Sequence, residues 1–304
     1  MFHFFFSFLG LQKEMTGGGA VYYLACLRFK RIYSRQMKKR RLLYREFPPH
    51  PALRPFLKCY WTIKANGRIL PASSHGVIPG GHTDIVLNLG EQIVHDESGK
   101  IFIDKGGISL VGPFDCFRRF RGAGRFEFFG VRFLCGKVPF SFNFPLRQVR
   151  NRAIPLHNIP MNQDLANKIE VLRISSLEPL LLSMCAGWPE PDPVVSSALL
   201  RIQQSQGQIP IEILARELRV TVRQVERKFA RHVGLSPKAF CRVIRFRYAK
   251  LLLSHSRNSP GVGLAYTCGY SDQTHLIREF RLFTGYTPSR YDRSYPVGFF
   301  LYNA

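Results

Sequence analysis

Acidic residues are scarce in this chain: 20 Asp and Glu stand against 44 Lys and Arg over 304 residues, a formal charge of +24. That imbalance argues against a cationic partner and for a polyanion, with nucleic acid ahead of a membrane surface because the excess is concentrated. From residue 194 onward 17 Lys/Arg face 6 Asp/Glu, a surplus of 11; residues 1–46 hold 10 against 2, a surplus of 8; the middle is only mildly basic, 17 against 12. No apolar run reaches the roughly 20 residues that span a bilayer. Phe2 to Leu11 is about half that length and follows no charged segment, so neither membrane insertion nor a signal peptide is expected. The seven cysteines form no CxxC pair and no metal-ligand spacing, which leaves buried thiols in a reducing cytosol. A Gly-rich phosphate loop, a Gly-x-Ser-x-Gly elbow and a paired-acid motif are all missing, so no catalytic residue and no cofactor is nominated. What is present is 45% hydrophobic and 13% aromatic residues, ample for two packed domains.

Between Ile209 and Tyr291 one pattern is written twice. Leu214-Ala215 recurs fifty residues on as Leu264-Ala265, and Arg227, Phe229, Gly234, Ser236-Pro237 and Phe240 recur fifty-one on as Arg278, Phe280, Gly285, Thr287-Pro288 and Tyr291. In the first copy a short helix opens near Pro210 with Ile213, Leu214 and Leu218 on one face, and a tight turn follows through Arg219 and Val220. Thr221 stands at an N-cap position, Val222, Val225 and Phe229 form the apolar stripe of a second helix, and Gly234 ends it. In the second copy Leu264, Ala265 and Cys268 line the first helix, Gly269 permits the turn, Asp272 can cap, and Leu276, Phe280 and Phe283 form the stripe. Two helices so joined, the second with exposed Arg, Gln and Thr beside a buried stripe, read as a helix-turn-helix. From Ser236-Pro237 a connecting helix can run to about Ser254, roughly 27 Å at about 1.5 Å per residue, which suits groove entries about 34 Å apart on one DNA face.

At these residues the chain resembles the DNA-binding domain of AraC/XylS-type transcription regulators. The resemblance is carried by Gly234-Leu235-Ser236-Pro237, by the run Gly269-Tyr270-Ser271-Asp272-Gln273-Thr274-His275-Leu276-Ile277-Arg278-Glu279-Phe280, and by Gly285-Tyr286-Thr287-Pro288. It covers about the last third of the chain. Gly261 and Gly263 depart from it, standing where the family has better helix formers at about 1 kcal/mol each against Ala, so that helix is expected to start late or fray.

Positions facing away from the first stripe are Arg223, Glu226 and Arg227; Gln273, Thr274, Ile277 and Arg278 occupy the equivalent face of the second copy. Arg suits guanine, Glu cytosine, Gln adenine, and Thr a thymine methyl, and these positions match the base-facing ones of the resembled family. A phosphate contact or a solvated charge is the alternative for any single Arg. Phosphate candidates are Thr221, Lys228, Lys238, Arg242, Arg245, Arg247, His275 and Arg281; His275 aligns with Gln224 beside the stripe, where a structural role is also open.

From Tyr44 to about Phe133 short runs alternate apolar and polar residues between Gly and Pro, a β signature. Leu57–Ile63, Asp84–Leu89, Ile101–Ile103, Ile108–Val111 and Phe126–Phe133 are the expected strands, and a small barrel or jelly roll the expected form. Ile78-Pro79-Gly80-Gly81-His82-Thr83-Asp84, Val111-Gly112-Pro113 and Gly130-Val131-Arg132-Phe133 resemble the poorly characterised domain that precedes some AraC-type DNA-binding domains, and a cupin-like barrel is what that resemblance implies. His75, His82, Asp84 and His95 invite a metal reading, but two histidines one residue apart followed by an acid are absent, and hydrogen-bonded structure is weighed ahead. Leu165, Ile169 and Leu172, then Leu177, Leu180, Leu181 and Met184, are helical stripes that either an intramolecular core or a homodimer would bury.

The expected organisation is α+β: a basic extension over 1–46, a β-rich sensor or assembly domain over 47–188, a Pro-rich linker over 189–193, two helix-turn-helix motifs over 194–292 and a tail over 293–304. The basic run from Arg28 to Arg45 reads as a nucleic-acid arm or a solvated charge run, and a start at Met37, resting on the composition change near Arg45, is the third reading. The function so implied is cytoplasmic, sequence-specific binding of double-stranded DNA for transcription regulation, with a small-molecule effector, a homodimer and, by family analogy, RNA polymerase as further partners. The alternative is a cupin-type or DNA-repair enzyme delivered to DNA by the helical domain, although the four-cysteine zinc site of the related alkyl-transfer repair proteins is missing.

Overall fold

The computed structural model describes residues 42–65, 74–90, 94–96, 102–121, 127–139, 145–159, 174–188, 190–255 and 262–291. Among the described residues ten strands come first: β1 (Leu42–Phe47), β2 (Leu57–Ala65), β3 (Ser74–Val77), β4 (Asp84–Asn88), β5 (Val94–Asp96), β6 (Phe102–Ile103), β7 (Ile108–Val111), β8 (Arg118–Arg121), β9 (Glu127–Phe133) and β10 (Ala153–Pro155). They pair antiparallel into two sheets, one in the order β1-β2-β9-β4-β7-β10 and one in the order β3-β8-β5-β6. Among the described residues the strands do not close into the expected barrel. Strand β4 shows why the sheet is central: Ile85 and Leu87 enter one apolar cluster and Val86 another, so both faces are covered and every residue of the strand is buried.

Strand β1 corrects the domain boundary drawn from sequence. Leu42–Phe47 pairs with β2 from Leu42↔Ala65 to Phe47↔Tyr60, so the sheet begins inside the segment read as a basic extension. Alternation explains it: Leu43 and Arg45 stand beside Tyr44 and Glu46 on opposite faces, a pattern the preceding Lys/Arg run conceals. Strands β3, β5 and β8 fall within the expected β region, whereas β10 lies beyond its expected end near Phe133.

Helix α1 (Ile174–Cys185) puts Leu177 and Leu181 into the cluster of Leu53, Tyr60, Phe129 and Trp188, with Leu180 and Met184 packed against it. This stripe is therefore spent on the chain's own core; the one at Leu165, Ile169 and Leu172 lies outside the described residues. Trp188 stacks edge-on against Phe56 at 4.9 Å, and Asp192 caps the next helix by accepting from Val195 N at 3.1 Å. Both ends of the Pro-rich segment are thus anchored.

The helical domain comprises α2 (Pro193–Gln204), α3 (Ile211–Glu217), α4 (Val222–His232), α5 (Pro237–His255), α6 (Val262–Thr267), α7 (Gln273–Thr284) and α8 (Pro288–Tyr291). Its core joins Val195, Leu199 and Ile202 of α2 to Phe229, Phe240, Phe246, Phe280 and Phe283, with Ile78 of the β domain in the same cluster. Helix α6 includes Gly263, and Gly261 lies outside the described residues.

Candidate nucleic-acid interface

Each copy of the repeat folds as two helices about a left-handed residue, Arg219 (φ 55°) in the first and Gly269 (φ 71°) in the second. Entry to α4 is a reciprocal cap. The Thr221 hydroxyl accepts from Gln224 N at 3.2 Å, and the Gln224 side chain accepts from Thr221 N at 2.8 Å. Entry to α7 uses Asp272, which accepts from His275 N at 2.7 Å; that bond, with the Ser271 hydroxyl, holds its carboxyl below the usual range. Gly234 (φ 82°) and Gly285 (φ 79°) end α4 and α7.

These supports fix which faces look outward. Val225 and Phe229 are fully buried beneath α4, as are Leu276, Phe280 and Phe283 beneath α7. Arg223, Glu226 and Arg227 are exposed on α4; on α7 Thr274 and Arg278 are exposed, while Gln273 and Ile277 are half-buried. The base-facing candidates thus share one face on each helix. Joining the two units, α5 spans 19 residues, about 28 Å at about 1.5 Å per residue.

The phosphate candidates divide. Thr221, Lys238 and Arg281 are exposed. Lys228 instead ion-pairs with Asp192, tying α4 to α2. Arg242 donates to Glu279 at 2.5 Å and lies over Phe283 at 5.7 Å, tying α5 to α7. Arg245 donates to Gly207 O at 3.0 Å and covers Tyr270 at 5.6 Å. Arg247 is desolvated by its surroundings. Lys228, Arg242 and Arg245 are thus each engaged by a partner within the protein, and Arg247 is half-buried. His275 sits between Ser271 Oγ at 3.2 Å and the Tyr270 ring at 5.2 Å, at the first turn of α7.

Among the described residues no group of three or more His, Cys, Asp or Glu is placed to hold a metal. Asp84 accepts from Arg132 Nη2 and from Trp61 Nε1, each at 3.0 Å, so its carboxylate completes a buried ion pair. Burial drives the His82 imidazole well below its usual range, with Cys135 Sγ 3.3 Å from Nδ1. The side chains of His75 and His95 lie outside the described residues.

Sequence reasoning missed a group of arginines. A cleft of about 670 Å³ runs between α4 and the β domain, lined by Arg118, Arg147, Arg150 and Arg152 on one side and by Glu226 and Ala230 on the other. The visible signal was three arginines within six residues, Arg147 to Arg152. The β domain also meets the C-terminal ends of both α4 and α7: Gly234 abuts Leu146 and Pro113, Gly285 abuts Phe117, and Phe117 N donates to Leu282 O at 2.9 Å.

Comparison with known proteins agrees with this geometry. Residues 214–294 match the family model described as a helix-turn-helix domain, and residues 45–155 that described as a domain of unknown function (DUF6597). The HTH-type transcriptional activator RhaS of Escherichia fergusonii is 28% identical over 148 residues, 47% of this chain and 52% of that one. An uncharacterized HTH-type transcriptional regulator of Haemophilus influenzae is 32% identical over 104 residues, 34% of this chain and 35% of the relative. The chain thus spans about half, or less, of the length of these curated relatives. A probable AraC family transcriptional regulator from Rhodopseudomonas palustris, solved as a crystal structure, is 30% identical with a TM-score of 0.30, covering 33% of this chain and 94% of that one. The chain therefore carries, over residues 214–294, a helix-turn-helix domain similar to those of HTH-type transcriptional regulators.

Proposed function

We propose that this protein is a sequence-specific DNA-binding transcription regulator that acts by binding rather than catalysis, laying α4 and α7 into successive major-groove segments of one duplex. The observation that carries this reading is the repeated polar face, Arg223/Glu226/Arg227 on α4 and Gln273/Thr274/Ile277/Arg278 on α7, each backed by a fully buried stripe. Arg223, Arg227 and Arg278 read guanine, Gln273 adenine and Glu226 cytosine, with Thr274 and Ile277 against thymine methyls. Thr221, Lys238, His275 and Arg281 contact phosphates. The site of action is the cytoplasm, where the duplex to be read is found; among the described residues no helix is long and apolar enough to cross a membrane.

The β domain regulates this binding, through a small molecule or through self-association, and RNA polymerase is the partner that reads the outcome. What supports regulation is the contact of the β domain with the ends of both reading helices, through which a shift in one domain biases the other. The anchored Trp188 and Asp192 support a division of the chain at 189–193.

The test is competition binding with the full chain, using duplexes selected from random sequence against unselected ones. A preference of at least about a thousandfold is expected of a specific reader. Equal affinity for both pools would reduce the protein to a non-specific basic coater.

A further inference from the structure

We propose that the β domain is itself part of the DNA interface, with Arg147 and Arg152 gripping the phosphate strand that flanks the groove segment read by α4. This rests on the DNA-binding reading above.

Three observations carry it. First, the arginine cleft opens beside the reading face, because Glu226 belongs to both: Glu226 and Ala230 follow one flank of α4, Gly234 comes just past its end, and all three line the cleft opposite the arginines. A helix seated in a major groove has a phosphate strand along each flank, so cations on that flank meet it.

Second, the arginines are built in place. Leu146 and Val149 are buried and anchor the turn, and Asn151, at φ 56°, stands between Arg150 and Arg152. Its side chain accepts from Asp115 N at 3.1 Å and donates to Asp115 Oδ1 at 2.6 Å; its backbone N donates to Pro113 O at 3.1 Å. The Arg152 carbonyl accepts from Gly112 N at 3.0 Å. A turn held this way fixes where the arginine side chains leave the backbone, so on binding only the side chains remain to be ordered.

Third, four arginines face a single acid, Glu226, across the cleft. Arg150 is held by Asp115, but among the described residues no carboxylate pairs with Arg147 or Arg152, and both are exposed. Like charges gathered in one cleft focus a field on whatever enters it. Exposed guanidinium groups in an open cleft fit a continuous phosphate backbone; a small anion would call for an enclosing pocket.

The experiment measures log affinity against log salt for the full chain on a selected and on a random duplex. For the Arg147→Gln/Arg152→Gln double variant the salt slope is expected to flatten by about 1.8, at about 0.9 per phosphate, with a loss of about fiftyfold near 0.1 M salt on both duplexes alike. The control is Arg45→Gln/Arg54→Gln, which removes the same formal charge; Arg45 lies in β1, at the opposite edge of the sheet from β10. Its slope is expected to match the wild type. An unchanged slope in the double variant, or an equal flattening in the control, would overturn the proposal. So would saturable binding of inorganic phosphate that only the double variant loses, with its DNA slope unaltered, since that makes the cleft a small-anion site. Should the double variant melt early, Arg152→Gln alone carries the test with an expected flattening of about 0.9. Failure of the DNA-reading proposal is separately visible, as a wild type with no preference for the selected duplex.

Discussion

In the first helix-turn-helix unit the left-handed residue between the helices is Arg219; fifty residues on, the equivalent position in the second unit is Gly269. The entry caps differ as well, a Thr221/Gln224 box against Asp272 with Ser271. So do the anchors: α4 is tied sideways to α2 through Lys228 and Asp192, α7 to α5 through Glu279 and Arg242. What the copies share is the buried stripe and the glycine after it, features every such unit needs to exist. Electrostatic supports follow the neighbouring helix, and the neighbours differ, so a duplicated sequence retains its packing code while its ion pairs diverge.

The largest effect tests the shared part. Phe229→Ala and Phe280→Ala each remove a fully buried ring, and each is expected to cost about 3–5 kcal/mol in chemical denaturation. A gap of more than about 2 kcal/mol between them would show that the two cores are not equivalent. The turn residues come next. Gly269→Ala forces a Cβ into the left-handed region and within 2.7 Å of the Gln208 side chain, an expected loss of about 2 kcal/mol. Arg219→Gly should move the other way, a gain under about 1 kcal/mol, since relief of the left-handed strain is partly offset by the freer unfolded chain. If both substitutions destabilise equally, the two turns do not differ as described.

In DNA binding, Arg227→Ala and Arg278→Ala should each cost about 1–3 kcal/mol on the selected site and relax one base preference apiece. Equal losses on selected and random DNA would mark either residue as a phosphate clamp. The smallest effect concerns pH. Burial opposes ionisation of Asp192, yet Lys228 and the Val195 amide hold its carboxyl below the ordinary range. A folded value below the unfolded one gives stability that is present above about pH 4 and lost as pH falls through the folded value. Asp192→Asn should therefore flatten the acid limb of the melting profile; an unchanged limb would mean the pair contributes nothing.

The helical domain was legible because its signals are local. Thr221 and Asp272 before apolar periodicity, and Gly234, Gly269 and Gly285 at the breaks, state within a few residues where each helix begins and ends. The β domain was half legible: Asp84–Asn88 reads as a strand from its own residues, whereas β10 at Ala153–Pro155 is defined by its pairing with β7, some forty residues earlier. Leu42–Phe47 was masked by the basic run before it. The site showed the same limit. The outward faces of α4 and α7 follow from helical period, but Lys228, Arg242 and Arg245 find partners 36 to 38 residues away, and Arg147 and Arg152 reach α4 only through the packing of two domains.

The central claim is that two matched polar faces read one duplex. Hydroxyl-radical footprinting of the full chain on a selected site tests it most directly. The account predicts two protected blocks on the same face of the duplex, centred about 10 base pairs apart, with Arg227→Ala weakening one block and Arg278→Ala the other. A single protected block, insensitive to one of the two substitutions, would contradict it.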